Sequence, residues 1–146
     1  SNLVHHLAFN YPDYLIINLD KLTYASNLNN LKEVEEKDNY VFIKGDIAVK
    51  DDVDKIFKEN NITDVIHLAA ETHVDRSIHS SLDFVNSNIN GTVNLLEACK
   101  SHWYKNFNEH KFYHISTDEV FGSIEKGTFN ENSNYDPRSP YSASKA

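Results

Sequence analysis

Two rhythms of hydrophobic residues alternate along the chain. Apolar runs of strand length fall at residues 14–19, 40–44, 64–70 and 111–116. Between them, apolar residues recur three or four apart, the spacing of one helix face. The run at 14–19 is continuous rather than alternating, as in a parallel strand covered on both faces. The run at 112–115 likewise reads as buried. Helices are predicted at 1–9, within 28–36, after Asp51, over 82–102 and from Tyr141 onward. Asp51 is the expected cap of a helix that carries Val53, Ile56 and Phe57 on one face. The long helix at 82–102 aligns Leu82, Val85, Ile89, Val93, Leu96 and Cys99. Tyr11-Pro12-Asp13 is a turn, and residues 123–139 form a loop rich in Asn, Ser and Pro. Strand–helix alternation with crossovers of this length predicts an α/β fold with a doubly wound parallel sheet.

Composition narrows the function classes. The chain has 146 residues, about one domain's worth, with 40% hydrophobic and 25% charged residues. That composition is globular. The net charge of −8 repels a phosphate backbone, which argues against a nucleic-acid partner. A small phosphorylated ligand held by backbone N–H groups stays compatible. Cys99 is the single cysteine, so no internal disulfide forms. Its place on an apolar helix face predicts a small core residue. No run reaches the roughly 18 apolar residues of a membrane span, and no signal-peptide pattern is present, so a cytoplasmic protein is expected. Both ends read as cut: Leu3, Val4 and Leu7 belong to a helix already under way, and Ala146 falls just inside another.

Five clusters could carry chemistry. Asp20 ends the first apolar run. A carboxylate at that position of a dinucleotide-binding unit accepts from the adenosine ribose and repels a 2′-phosphate, favouring NAD; a turn-forming Asp is the plain alternative. Asp46, in Gly45-Asp46-Ile47, could hold an adenine amino group or could sit in an ordinary turn. Ala69 and Ala70, in Leu68-Ala69-Ala70-Glu71-Thr72, would let a cofactor approach the backbone, or would serve helix–sheet packing. Tyr141 and Lys145 stand i and i+4 on one helix face, where an ammonium favours the phenolate and so makes a base for a carbinol proton; an exposed i,i+4 pair is the plain alternative. Asp118 and Glu119 follow Ser116 and Thr117 at a strand end, where ligands of open α/β sheets bind. Two adjacent carboxylates in one site divide into an acid and a base; a solvated pair is the alternative. His67, flanked by apolar residues, reads as a core histidine. The eight histidines show no metal-ligand spacing, so no metal is expected.

Four stretches in order, Asp20-Lys21-Leu22-Thr23-Tyr24-Ala25, Leu68 to Ser77, Ser116 to Gly122 and Ser139 to Ala146, resemble the extended short-chain dehydrogenase/reductase superfamily of nucleotide-sugar enzymes. Within it they are similar to the dTDP-glucose 4,6-dehydratase family. Two small departures are Phe121 for tyrosine and Thr72 for serine. The resemblance implies a Rossmann-like, NAD-binding domain over 1–146, incomplete for want of a first strand with its Gly-rich turn and of the C-terminal substrate domain. It implies that such a fragment is inactive alone and that the full-length protein is a homodimer formed by helices; the 82–102 helix is a candidate, with a core-facing stripe as the plain alternative. It implies NAD contacts from Asp20, Lys21, Leu22, Thr23, Asp46, Ile47, Leu68, Ala69, Ala70, Glu71, Thr72, Ser87, Tyr141 and Lys145. Thr72 and Thr117 would touch dTDP-glucose. Tyr141, helped by Lys145, would take the C4 hydroxyl proton as hydride passes to NAD⁺. Glu119 would take the C5 proton and Asp118 would protonate the departing C6 hydroxyl. Hydride return to C6 completes a hydro-lyase cycle. Related epimerases and decarboxylases share the Tyr/Lys pair, and a non-catalytic fragment is the reading from another class.

Overall fold

A computed structural model describes all residues 1–146. The chain divides into two compact units, Ser1–Asp46 and Ile47–Ala146.

In the first unit, helix α1 (Asn2–Asn10) leads through the Pro12 turn into strand β1 (Ile16–Asp20). A 3₁₀ turn (Leu28–Leu31) runs into the short helix α2 (Lys32–Glu35), followed by strand β2 (Tyr40–Lys44). The two strands pair in parallel, Ile16 opposite Tyr40 and Asp20 opposite Lys44. Parallel pairing requires a crossover, which α2 supplies. Ala8, Val34 and Tyr40 form the core, with Val4, Ile16, Leu31 and Phe42 packed around them. The Asn39 amide ties strand to helix by donating to the Ala8 carbonyl at 3.1 Å.

The second unit holds helix α3 (Lys50–Glu59), strand β3 (Asp64–His67), helices α4 (Val74–His79) and α5 (Ser81–Phe84), a π-helical segment (Val85–Asn90), helix α6 (Gly91–Trp103), strand β4 (Lys111–His114) and helix α7 (Pro140–Lys145). β3 and β4 pair in parallel, His67 opposite His114. α3 packs on α6, burying Val53, Ile56 and Phe57 as their spacing predicts. Trp103 anchors the end of α6 by donating from Nε1 to the Ile62 carbonyl at 2.7 Å. Cys99 is a buried core residue, and burial pushes its thiol up to about 12.

Two local expectations are corrected, and the side of the long helix that packs is decided. Asp51 does not cap α3: Val49 precedes the helix, no side chain caps it, and Asp51 lies inside the first turn. There its charge still suits the positive helix end. The outer side of the β3–β4 pair is open, with Ile66 and Tyr113 exposed. His67 is buried and Phe112 half-buried, so the apolar run at 112–115 is only partly covered. The long helix exists as one right-handed run from α5 through α6, but it buries another face than the apolar stripe. Leu82, Val85, Ile89, Val93 and Leu96 are exposed, Leu82 at 72%; only Cys99 of that stripe is buried. The buried face runs Phe84, Asn88, Gly91, Leu95, Ala98 and Trp103. Its small and polar members let neighbours approach: a Cβ on Gly91 would stand 2.6 Å from the Ile47 side chain.

Candidate active site

In the first unit, β1 ends in Asp20, whose Oδ1 accepts from the Leu22 N–H at 2.7 Å and the Ser26 hydroxyl at 2.9 Å. Both bonds fall on one oxygen, so the carboxylate is oriented by its own loop. The loop bends sharply: Leu22 has φ +58, the left-handed region that a branched side chain enters only under constraint. Lys21 and Thr23 flank it, Lys21 exposed and Thr23 half-buried. The Lys21 ammonium pairs with the Asp46 carboxylate at 2.8 Å. Asp46, expected as an acceptor for an adenine amino group, thus already has a cationic partner.

In the second unit, β3 runs into an irregular turn. Leu68, Ala69 and Thr72 are exposed; Ala70 and Glu71 are half-buried. Small exposed residues after a strand leave the backbone open to a ligand. Ser87 is half-buried on the π-helical segment, and Ile47 is buried with its carbonyl accepting from the Asn94 amide at 2.9 Å.

β4 ends at His114. A single 3₁₀ turn, Asp118–Phe121, carries the two carboxylates, and the Thr117 hydroxyl accepts from the Glu119 N–H at 3.4 Å. Val120 is buried beneath the turn, while Asp118 and Glu119 are exposed. The apolar neighbour Val120 anchors the turn and leaves its two acids outside. Gly122 follows at φ +87, where a Cβ would stand 2.6 Å from the Asp136 carbonyl, so only glycine lets the 123–136 loop return onto Val120.

α7 begins with Ser139 as cap and Pro140 at its first position. Ser139 and Ser142 exchange side-chain and backbone bonds in a capping box. Tyr141 and Lys145 are both buried, at 8% and 7% exposure. Burial pulls the Lys145 ammonium below its usual value. α7 packs against the turn that carries Asp118 and Glu119. The Ser116 hydroxyl donates to the Lys145 carbonyl at 3.0 Å, joining the strand end to the end of the helix. The Tyr/Lys pair and the carboxylate pair thus sit on neighbouring elements.

Below them lie two histidines. His67 is 3% exposed, 5.0 Å from His114 between ring centroids. Burial, then His114 and Lys145, lowers it to about 4, so it is neutral near pH 7 and adds no positive charge beside Lys145. His67 is a core histidine, as its apolar flanks predict.

Asn88 was missing from the sequence-based set. It is 3% exposed and its amide is fully engaged. Oδ1 accepts from the Glu71 N–H at 2.8 Å; Nδ2 donates to the Glu71 carbonyl at 2.9 Å and to the Ser144 hydroxyl at 2.7 Å. The available signal was its helical register with Phe84, Gly91 and Leu95.

Residues 1–146, the whole chain, match the GDP-mannose 4,6 dehydratase family. The chain belongs to that family. Within the GDP-mannose 4,6 dehydratase family it is 47% identical to the dTDP-glucose 4,6-dehydratase of Haemophilus influenzae, over 100% of this chain and 45% of the relative. It is similar to the solved structure of the Streptomyces venezuelae dTDP-glucose 4,6-dehydratase DesIV with NAD and TYD bound, at TM-score 0.85 and 38% identity, over 98% of this chain and 43% of the other. The Thermus thermophilus UDP-glucose 4-epimerase, a complex with NAD, is alike at TM-score 0.81 and 28% identity, over 98% and 42%. The fold is that of these Rossmann-like enzymes, α/β with parallel strands. The chain spans less than half the length of the relatives it matches.

Proposed function

We propose that the intact protein is a dTDP-glucose 4,6-dehydratase, an NAD-dependent hydro-lyase that forms a 4-keto-6-deoxy sugar nucleotide, and that residues 1–146 are part of its cofactor-binding domain. The observation that carries the reading is the adjacent pair Asp118 and Glu119 on a turn packed against the helix of Tyr141 and Lys145. A Tyr/Lys pair alone serves oxidation at a carbinol carbon, as an epimerase needs. Two further carboxylates are what elimination of water needs.

The residues fit a nicotinamide dinucleotide. Asp20 offers a carboxylate oriented by its own turn for ribose hydroxyls, and the exposed Leu68-Ala69 turn leaves room beside the backbone. Tyr141 and Lys145 would lie at the nicotinamide end. Bound NAD would supply a hydride acceptor for C4 and, later in the cycle, a hydride donor for C6. Tyr141 takes the C4 hydroxyl proton, and Lys145 favours the phenolate by its charge. Thr117 donates to the C4 oxygen. Glu119 removes the C5 proton, acidified by the C4 ketone, Asp118 protonates the C6 hydroxyl as it leaves as water, and C5 regains a solvent-exchanged proton as hydride reaches C6. Both acids are exposed in the chain, where a bound sugar can reach them. Thr72 contacts the sugar nucleotide. The cytoplasm is the proposed location.

The exposed stripe of Leu82, Val85, Ile89, Val93 and Leu96 supports a homodimer formed through this helix, since a contiguous apolar face of that length marks an interaction surface.

Product NMR from dTDP-glucose tests the function. A 4-keto-6-deoxy sugar carrying solvent deuterium at C5 is expected, and inversion at C4 with C6 intact would refute the proposal. Glu119→Gln should lower kcat by about 10²–10⁴, the range of a lost general base, and suppress C5 exchange. Unchanged exchange removes Glu119 from the mechanism.

A further inference from the structure

The 3₁₀ turn of Asp118 and Glu119 is weakly held from within. Its own bonds are long. The Val120 N–H reaches the Thr117 carbonyl at 3.4 Å, the Glu119 N–H the Thr117 hydroxyl at 3.4 Å, and the Gly122 N–H the Glu119 carbonyl at 3.2 Å. A shorter bond comes from outside the turn, where the Asp136 N–H donates to the Val120 carbonyl at 2.9 Å. Between Gly122 and Asp136 the chain loops out, and the loop brings two rings back onto Phe121, the last residue of the turn. Phe129 stacks on the Phe121 ring at 5.4 Å between centroids, and Tyr135 tilts against the same ring at 5.3 Å. A self-bonded turn lets both rings converge. The Asn130 side chain accepts from the Asn132 N–H at 2.9 Å. The Ser133 hydroxyl accepts from the Asn130 N–H at 3.0 Å, and the Ser133 N–H donates to the Asn130 carbonyl at 3.0 Å.

We propose that Phe129 and Tyr135 are positioning residues: their rings clasp Phe121 and fix the turn of Asp118 and Glu119, so that the loop serves the elimination half of the reaction and not the oxidation half. The proposal rests on the reading of Asp118 and Glu119 as acid and base and of Tyr141 as the base for C4 oxidation, and it adds what holds the first pair in place. The two halves ride on different supports. Tyr141 and Lys145 are buried in α7, whose start is set by its own capping box of Ser139 and Ser142. Asp118 and Glu119 are exposed on a turn anchored by one buried side chain, Val120, and by the loop. Removal of the C5 proton needs a carboxylate within hydrogen-bond reach, so a loosened turn slows that step. Oxidation at C4 uses groups on α7 and is indifferent to it.

The clasp can be cut in the intact protein without touching a reacting group. Phe129→Ala with Tyr135→Ala should lower kcat for dTDP-glucose about ten- to hundredfold, with KM and the single-turnover rate of C4 oxidation unchanged. Reduced nicotinamide should then build up on the enzyme, and C5 exchange with solvent should slow. Phe129→Tyr with Tyr135→Phe keeps both rings and should restore the wild-type balance between the steps. The proposal is overturned if the alanine variant keeps wild-type kcat, or if oxidation and C5 exchange slow by equal factors, as a general loss of structure would give. Should the double variant fail to fold, Tyr135→Ala alone decides, since that ring is 62% exposed. Wild-type kcat and C5 exchange in that variant overturn the proposal. Amide hydrogen exchange reads the clasp without substrate: loss of the rings should speed exchange at Glu119, Val120 and Gly122 and leave α7 as in wild type, and unchanged exchange at the turn overturns the proposal. Absence of turnover in the wild-type protein would sink the functional reading, while the exchange measurement would still judge the clasp.

Discussion

Acidification should destabilise the protein through His67. Its ring is buried, at 3% exposure, with His114 and Lys145 the charged or titratable groups facing it, and its folded value is about 4 against 6.5 when unfolded. Between those values the unfolded chain binds more protons than the folded one, so stability rises with pH across that window and is lost as pH falls through it. The full separation corresponds to about 3 kcal/mol, of which about 2 kcal/mol falls between about pH 7 and about pH 5. His114, also lowered by burial and by Lys145, acts in the same direction. Urea unfolding of wild type and His67→Gln at the two pH values isolates the histidine, because every other titration is common to both proteins. Gln can still donate to Thr92. Wild type should lose about 2 kcal/mol more than the variant on acidification. Parallel losses would refute the reasoning, as would an NMR titration that finds the folded His67 ring near its unfolded value.

Two more predictions rest on local geometry. Ser139→Ala breaks the capping box that starts α7 and should cost about 1 kcal/mol in urea unfolding; an unchanged midpoint would mean that packing alone sets the helix start. Val93→Lys with Leu96→Lys places two charges on the exposed stripe and should shift a dimer to monomer in sedimentation, with the folded far-UV signal kept; an unshifted species would place the assembly elsewhere.

The chemistry-bearing elements were legible because each is encoded locally. The strand at Tyr40–Lys44 follows from a continuous β-favouring run, and α7 from Ser139, Pro140 and the following Ser142. Tyr141 and Lys145 share a helix face by spacing alone. The 82–102 helix was legible as a helix, while its sequence left open whether the apolar stripe packs inside or faces a partner. Hydrophobicity marks which residues tolerate burial, and its richest stripe there is the exposed one. The face that packs is made of Asn88, Gly91 and Ala98 among larger residues, chosen for close approach and hydrogen bonding, which no apolar periodicity reports.

The sequence by itself determined the alternation of elements, the parallel α/β class, and the residue types at the strand ends that make NAD-dependent dehydration of a sugar nucleotide the best reading. The elements and the class follow from chain-local physics, side-chain periodicity and capping; the dehydration reading follows from the resemblance of four short motifs to a known family. Only the tertiary structure decided which side of a helix is buried, that Asp118 and Glu119 stay exposed while Tyr141 and Lys145 are covered, and that Asn88 bonds to Glu71 and Ser144. Those bonds span 17 and 56 residues of chain, and burial and long-range hydrogen bonding depend on which segments fold onto each other rather than on any local pattern.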